Sequence, residues 1–236
     1  MIDSLYDIFK KWCAKGAVCI ISDPHFSDTE CFEQRKKYAQ LPDGVNTIDD
    51  LDNYIIKNIN SVAGKNDTLV CLGDFGNIEC VKKLKAGYKV LILGNHDRGA
   101  DYYKKTTIDI TNLKEDLATS VDLPKELLIG EHELDRHVIF DNKLFDEVYS
   151  GPLMISDKII LSHEPIIPCP EYLVNLCGHV HAKKHKFEIN GHQYYNFCAE
   201  AIDYKPVSLG KLIKNGILSK VKDIHRVAID KANMKK

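Results

Sequence analysis

The chain of 236 residues sets 32 Lys and Arg against 34 Asp and Glu, a formal charge of −2, so no broad basic field marks it for nucleic acid. A hydrophobic share of 44% and a charged share of 28% are those of an ordinary globular domain, and the length allows a large core without disulfide or metal staples. No stretch approaches the roughly 18 consecutive apolar residues of a membrane span, and the acidic start lacks the basic-then-apolar pattern of a signal peptide.

In chain order, Leu5, Ile8, Phe9 and Trp12 fall at helical spacing and predict an amphipathic helix over residues 3–15. Residues 17–22 (AVCIIS) are a short apolar, β-branched run and read as a buried strand. A second helix is expected over 47–62, with Ile48, Leu51, Ile55, Ile59 and Val62 on one face, Thr47 as cap and Asp50 as the capping-box acid. Further strands are expected at 68–73, 88–94, 158–162 and 173–178. Residues 186–189 and 192–198 flank Asn190-Gly191, a dipeptide suited to a tight hairpin. Residues 100–142 are polar and poorly periodic and read as a helical insertion, and the final KANMKK as a solvated tail. The eight cysteines form no C-x-x-C pair, which favours a reduced, cytoplasmic protein. Strands alternating with helical stretches argue for one α/β domain over 1–236, with its core at about 17–214.

Five polar motifs follow the apolar runs in order: Asp23-Pro24-His25, Gly73-Asp74, Gly94-Asn95-His96-Asp97, His163, and Gly178-His179-Val180-His181. Each alone is weak, but together they gather oxygen and imidazole donors at the C-terminal ends of strands, where open α/β sheets bind their ligands. Such donors suit Mn²⁺, Fe or Zn²⁺, with Ni²⁺ also admissible, and the lack of thiolates in the motifs argues against a structural zinc site.

The set resembles the calcineurin-like metallophosphoesterase superfamily, with its D-x-H, G-D, G-N-H-[DE], H and G-H-x-H blocks. More narrowly, SDPHF, DTLVCLGDF, FDEVYSGPLMI, LSHEP and NFCAEAIDYKPVSL resemble a group of small bacterial and phage phosphoesterases, and the likeness spans most of 17–210. The resemblance implies a four-layer αββα sandwich of two mixed β-sheets and a two-metal centre. By the family pattern Asp74 bridges the metals, Asp23, His25 and His181 complete one shell, and Asn95, His163 and His179 the other. It also implies hydrolysis of a phosphomonoester or phosphodiester by a metal-activated hydroxide, with His96 as general acid to the leaving group.

Around these blocks, other residues have two readings. Asp97 either orients His96 or caps a helix expected after the Gly94-Asn95-His96-Asp97 motif, and the first is preferred. Arg98 contacts substrate phosphate or faces solvent, with nothing to choose between them. Arg35, Lys36 and Lys37 read as a solvated basic face rather than a substrate clamp. Asn196 and Glu200 have no assigned chemistry, Tyr204-Lys205-Pro206 reads as a structural turn, and His132, His137, His185, His192 and His225 match no motif. A small or nucleotide-like phosphorylated substrate is favoured over DNA or RNA, for want of a basic groove. A nuclease and a non-catalytic scaffold of the same fold are the competing functions, and the oligomeric state is left open.

Overall fold

In the computed structural model, which describes residues 5–39, 41–97, 104–105, 138–139 and 144–222, the first apolar run forms β1 (Val18–Ile21) with all four side chains buried. Burial on both faces needs cover on both sides, and the neighbouring elements supply it. β2 (Thr68–Cys71), also wholly buried, pairs parallel with β1, and β3 (Tyr88–Ile92) pairs parallel with β2. Two short strands, β4 (Lys104–Lys105) and β5 (Val138–Ile139), form an antiparallel pair of their own. β6 (Glu147–Tyr149) then extends the first sheet in parallel beside β3.

The second sheet collects β7 (Leu153–Ser156), β8 (Ile159–Leu161), β9 (Val174–Cys177), β10 (Lys186–Ile189) and β11 (His192–Asn196) in the order β10-β11-β9-β8-β7. It is mixed: β11, β9 and β8 run parallel, while β10 and β7 are antiparallel to their neighbours. β12 (Val207–Ser208) returns antiparallel to β1, which makes the first sheet, β12-β1-β2-β3-β6, mixed as well. Ile20 and Leu91 of the first sheet share one buried cluster with Ile155, Leu161 and Leu176 of the second. The expected pair of mixed sheets in an α/β domain is therefore present.

Helices pack outside this core. α1 (Thr29–Tyr38) starts at Asp28, whose carboxylate caps the N–H of Cys31, and buries Phe32 and Arg35. α2 (Ile48–Val62) carries the expected capping box, Thr47 with Asp50, and buries Leu51, Ile55 and Ile59 in the shared cluster. α3 (Leu209–Lys214) follows β12 directly, capped by Ser208. At the hairpin, Asn190 and Gly191 both take positive φ, 52° and 82°, as a tight turn of that type requires. No helix among the described residues is long and apolar enough to cross a membrane, and the eight cysteines are free.

The N-terminal expectation needs correction. Residues Asp7–Cys13 form a 3₁₀ helix, not an α-helix. With about three residues per turn, Phe9 and Trp12 share the buried face while Ile8, at 64% exposure, turns away from it. Leu5 reaches the core by a different route, as a bridge to Ser156 in the second sheet. The expected helical insertion at 100–142 lies outside the described residues except for β4 and β5, and Arg98, His132, His137, His225 and the KANMKK tail lie outside them entirely.

Candidate metal centre

The ends of β1, β2, β3, β8 and β9 deliver the expected ligands to one edge of the two sheets. There the chain leaves ordinary conformations. Asp23, His25, Asp74, His179 and His181 have φ of 53°, 49°, 49°, 67° and 45°, all in the left-handed region. Asp and His tolerate this region better than branched residues, yet each such residue costs on the order of 1–3 kcal/mol. The loops are held in it by one another. Asp23 N–H donates to Gly73 O at 2.9 Å and His25 N–H to Asp74 O at 3.1 Å, so the first two loops form a ladder. The N–H of His179 donates to Asp23 Oδ2 at 2.9 Å and that of His96 to Asp74 Oδ1 at 2.9 Å, which ties the remaining loops to the same carboxylates.

The glycines of the motifs serve this crowding. A Cβ on Gly94 would overlap Asp74 Oδ1, and one on Gly178 would overlap Ser22 Oγ and Asp23 Oδ2. Asp97 is fully buried, and its carboxylate accepts the N–H groups of Asp74 (2.7 Å), Phe75 (3.0 Å) and Gly94 (2.9 Å). These bonds clamp the loop after β2 to the loop after β3 and so hold Asp74 in place.

The ligand atoms fall into two groups that share one carboxylate oxygen. In the first, Asp23 Oδ1 lies 3.4 Å from His181 Nε2 and 3.9 Å from His25 Nε2, which is itself 3.6 Å from Asp74 Oδ2. In the second, His163 Nε2 lies 3.3 Å from Asp74 Oδ2 and 2.8 Å from Asn95 Oδ1, and His179 Nδ1 is 3.0 Å from Asn95 Oδ1 and 3.2 Å from His163 Nε2. Donors held about 2.1 Å from one cation stand about 3 Å apart when adjacent and up to about 4.2 Å when opposite, so the separations in both groups are compatible with a coordination shell. Asp23 Oδ1 and His25 Nε2 are buried without a hydrogen-bond partner. A buried acceptor left so is costly unless a cation takes it up, and this donor set fits divalent ions.

Partners behind the ligands decide which ring nitrogen faces the centre. His25 Nδ1 is 2.8 Å from Asp28 Oδ2, His181 Nδ1 is 2.8 Å from Glu200 Oε1, and His163 Nδ1 is 2.9 Å from Leu72 O. An acceptor at Nδ1 keeps the proton there and leaves the Nε2 lone pair turned inward. Glu200 is in turn held by Arg35, Nε to Oε1 at 3.1 Å and Nη2 to Oε2 at 3.2 Å. Arg35 also donates to the carbonyl oxygens of Pro24 and Asp23, which braces the first motif from below. Burial raises the Glu200 carboxyl, but the hydrogen bond from His181 and the Arg35 guanidinium outweigh it and hold the group well below the usual range. Burial, the largest influence on His25, keeps its imidazole below the ordinary value and hence neutral.

Two thiols stand close by. Cys198 Sγ donates to Asp23 Oδ2 at 3.3 Å, and Cys31 lies within ligand distance of His25 and His181. Burial pushes Cys31 up to about 12 and Cys198, which groups with Asp23 and His181, well above its ordinary value, and so favours the thiol form at both.

All seven expected ligands meet at this edge, with the general-acid candidate His96 beside them, its ring 5.2 Å from that of His25. Arg35 is the main correction: only 3% exposed, it belongs to the site's foundation and not to a solvated face, whereas Lys36 and Lys37 are exposed as expected. Asp28, Arg35, Glu200 and Cys198 carry no motif of their own. The usable signal was chemical: each ligating imidazole needs an acceptor for its second nitrogen, and acids sit three residues after His25 and within the late block. Asn196 gains a purpose too, since its side chain ties Ala182 O to Cys198 N and so joins the loop of His181 to that of Glu200. His185 donates from Nδ1 to Asn196 O at 2.7 Å, away from the ligand groups, and Tyr204 is a buried turn residue at φ 57°.

A crystal structure of a protein of unknown function from Aquifex aeolicus is 24% identical with a TM-score of 0.49, and the match covers 84% of this chain and 98% of that one. No curated protein matches the chain. The family model described as calcineurin-like phosphoesterase matches residues 16–197, a span that contains all seven expected ligands. The chain belongs to the calcineurin-like phosphoesterase family.

Proposed function

We propose that the protein is a phosphoesterase that holds two divalent cations, Mn²⁺ first among the candidates, and hydrolyses a small phosphate mono- or diester. The observation that carries this reading is the pair of ligand groups joined at Asp74 Oδ2, with Asp23 Oδ1 and His25 Nε2 buried and facing the centre without partners. Asp23, His25, Asp74 and His181 would hold one ion, and Asp74, Asn95, His163 and His179 the other. When bound, the ions supply positive charge for the phosphoryl oxygens and make water acidic enough to serve as the nucleophile near neutral pH.

The chain's own groups do the rest. Asn95 and His96 are exposed at the mouth of the centre, where a phosphate arrives. The backbone N–H of His96 is fixed on Asp74 Oδ1, and its imidazole stands beside the ligands, 5.2 Å from the ring of His25. There it would give a proton to the departing oxygen, a contribution worth about 10²–10⁴ in rate. Asp97 keeps that turn and Asp74 in register through its three amide bonds.

The test is purified protein with Mn²⁺ on mono- and bis-(p-nitrophenyl) phosphate, with metal content measured on the same sample. Turnover of either ester, lost on chelation and restored by Mn²⁺, is expected. Bound metal with neither ester hydrolysed would favour a scaffold that kept the fold and lost the chemistry.

A further inference from the structure

A cleft of about 460 Å³ runs from His25, His96 and His181 along the side of α1. Its size lies within the roughly 300–1,000 Å³ of small-molecule sites. One wall is a single helical stripe: Glu30, Gln34 and Tyr38 follow one another at four-residue spacing and all line it. α1 is a firm mount for them, capped by Asp28 and rooted by buried Phe32 and Arg35. None of the three is used by the metal centre.

The charges in the cleft limit what the far end accepts. Asp28 is taken by His25, and Glu200 by His181 and Arg35. The guanidinium has all three nitrogens engaged, on Glu200 and on the carbonyl oxygens of Pro24 and Asp23. Lys37 sits over the Tyr38 ring, 4.8 Å from its centroid, and lines the outer surface of α1 instead of the cleft. Glu30 therefore adds a carboxylate that no cation pairs with among the described residues. A second phosphate or a carboxylate on the substrate would meet repulsion here, which favours a neutral leaving group.

Two features go further. Gln34 offers a donor and an acceptor side by side, the pattern that reads the edge of a purine base. Tyr38, at 72% exposure, offers an aromatic face on which a base stacks. We propose that this cleft is the leaving-group subsite for a nucleoside, making the preferred substrate a nucleoside monophosphate ester with Tyr38 stacking on the base and Gln34 reading its edge. The proposal rests on the phosphoesterase reading for the phosphate end and on the α1 stripe for the nucleoside end.

The experiment separates the two. Binding of adenosine, which carries no phosphate, is measured by calorimetry on the wild-type protein and on Gln34→Ala and Tyr38→Ala. In parallel, kcat/KM with Mn²⁺ is measured for adenosine monophosphate and for glycerol 2-phosphate, which has no ring. Adenosine is expected to bind, each substitution to weaken it by about tenfold, and the preference for the nucleotide to fall by a similar factor. If adenosine does not bind, or the variants bind it like the wild type, or both substrates decline in parallel, the subsite is overturned even where glycerol 2-phosphate is hydrolysed. Adenosine binding that depends on Gln34 and Tyr38, with no ester hydrolysed, would uphold the subsite and reject the phosphoesterase reading instead.

Discussion

Arg35 and Glu200 stand 165 positions apart in the chain and meet as a buried ion pair, Nε to Oε1 at 3.1 Å, with side chains 2% and 3% exposed. The pair does more than bury two charges. Glu200 holds the Nδ1 of His181, and Arg35 holds the backbone of Asp23 and Pro24, so one contact aligns ligands drawn from both ends of the domain.

Glu200→Gln keeps the shape and one acceptor but leaves the Arg35 charge uncompensated. A loss of about 3 kcal/mol is expected, the lower end for breaking a buried pair because the amide still accepts one bond. Mn²⁺ affinity should fall by about 10–100-fold as His181 loses its anchor. Chemical denaturation and a metal titration read the two effects, and wild-type values in both would remove Glu200 from the site.

Asp28 has two duties that one substitution separates. Its Oδ1 caps α1 at Cys31 and its Oδ2 holds His25. Asn caps a helix as well as Asp does, so Asp28→Asn should leave the melting temperature nearly unchanged. It should nevertheless weaken metal binding by about 10–100-fold, because an amide is a poorer acceptor for the His25 N–H. A melting temperature that drops while metal affinity holds would reverse the assignment.

These duties explain what could and could not be read from the sequence. Each ligand follows an apolar run that can only be a buried strand, so Asp23, Asp74, Asn95 and His163 were placed by pattern alone. The residues behind them are set by folding: Arg35 sits on a helix with an unremarkable polar face, and only the long-range meeting with Glu200 shows that it is buried. The clamp made by Asp97 is hidden for the same reason: two of the amides that its carboxylate accepts belong to the loop after β2, 22 and 23 positions earlier for Phe75 and Asp74. Ile8 failed differently, because four apolar residues at helical spacing do not say whether the turn has 3.6 residues or three.

Glu147 ties the N-terminal 3₁₀ helix to the first sheet: it accepts from Trp12 Nε1 (2.9 Å), Tyr88 OH (2.7 Å) and Tyr149 OH (2.8 Å), and pairs with Lys11. Burial raises its carboxyl, but Lys11 and the three hydrogen bonds more than offset that and hold it below the ordinary 4.5. A carboxyl lowered on folding adds stability above its unfolded value, and that share is lost as pH falls through the folded value. The wild type should therefore lose more thermal stability than Glu147→Gln as pH falls below about 4.5, while being the more stable of the two at neutral pH. Parallel pH profiles for the two proteins would contradict this.

If His96 is the general acid proposed above, His96→Ala should keep its metal and lose about 10²–10⁴ in kcat. The loss should shrink for p-nitrophenyl phosphate, whose leaving group needs little protonation. If the variant instead loses metal and keeps its rate per occupied site, His96 is a ligand.

The central claim is that seven side chains hold two cations that share Asp74, and anomalous diffraction from a Mn²⁺-soaked crystal tests it most directly. Two peaks are expected, one against Asp23, His25 and His181 and one against Asn95, His163 and His179, with Asp74 touching both. A single peak, or peaks away from these residues, would contradict it.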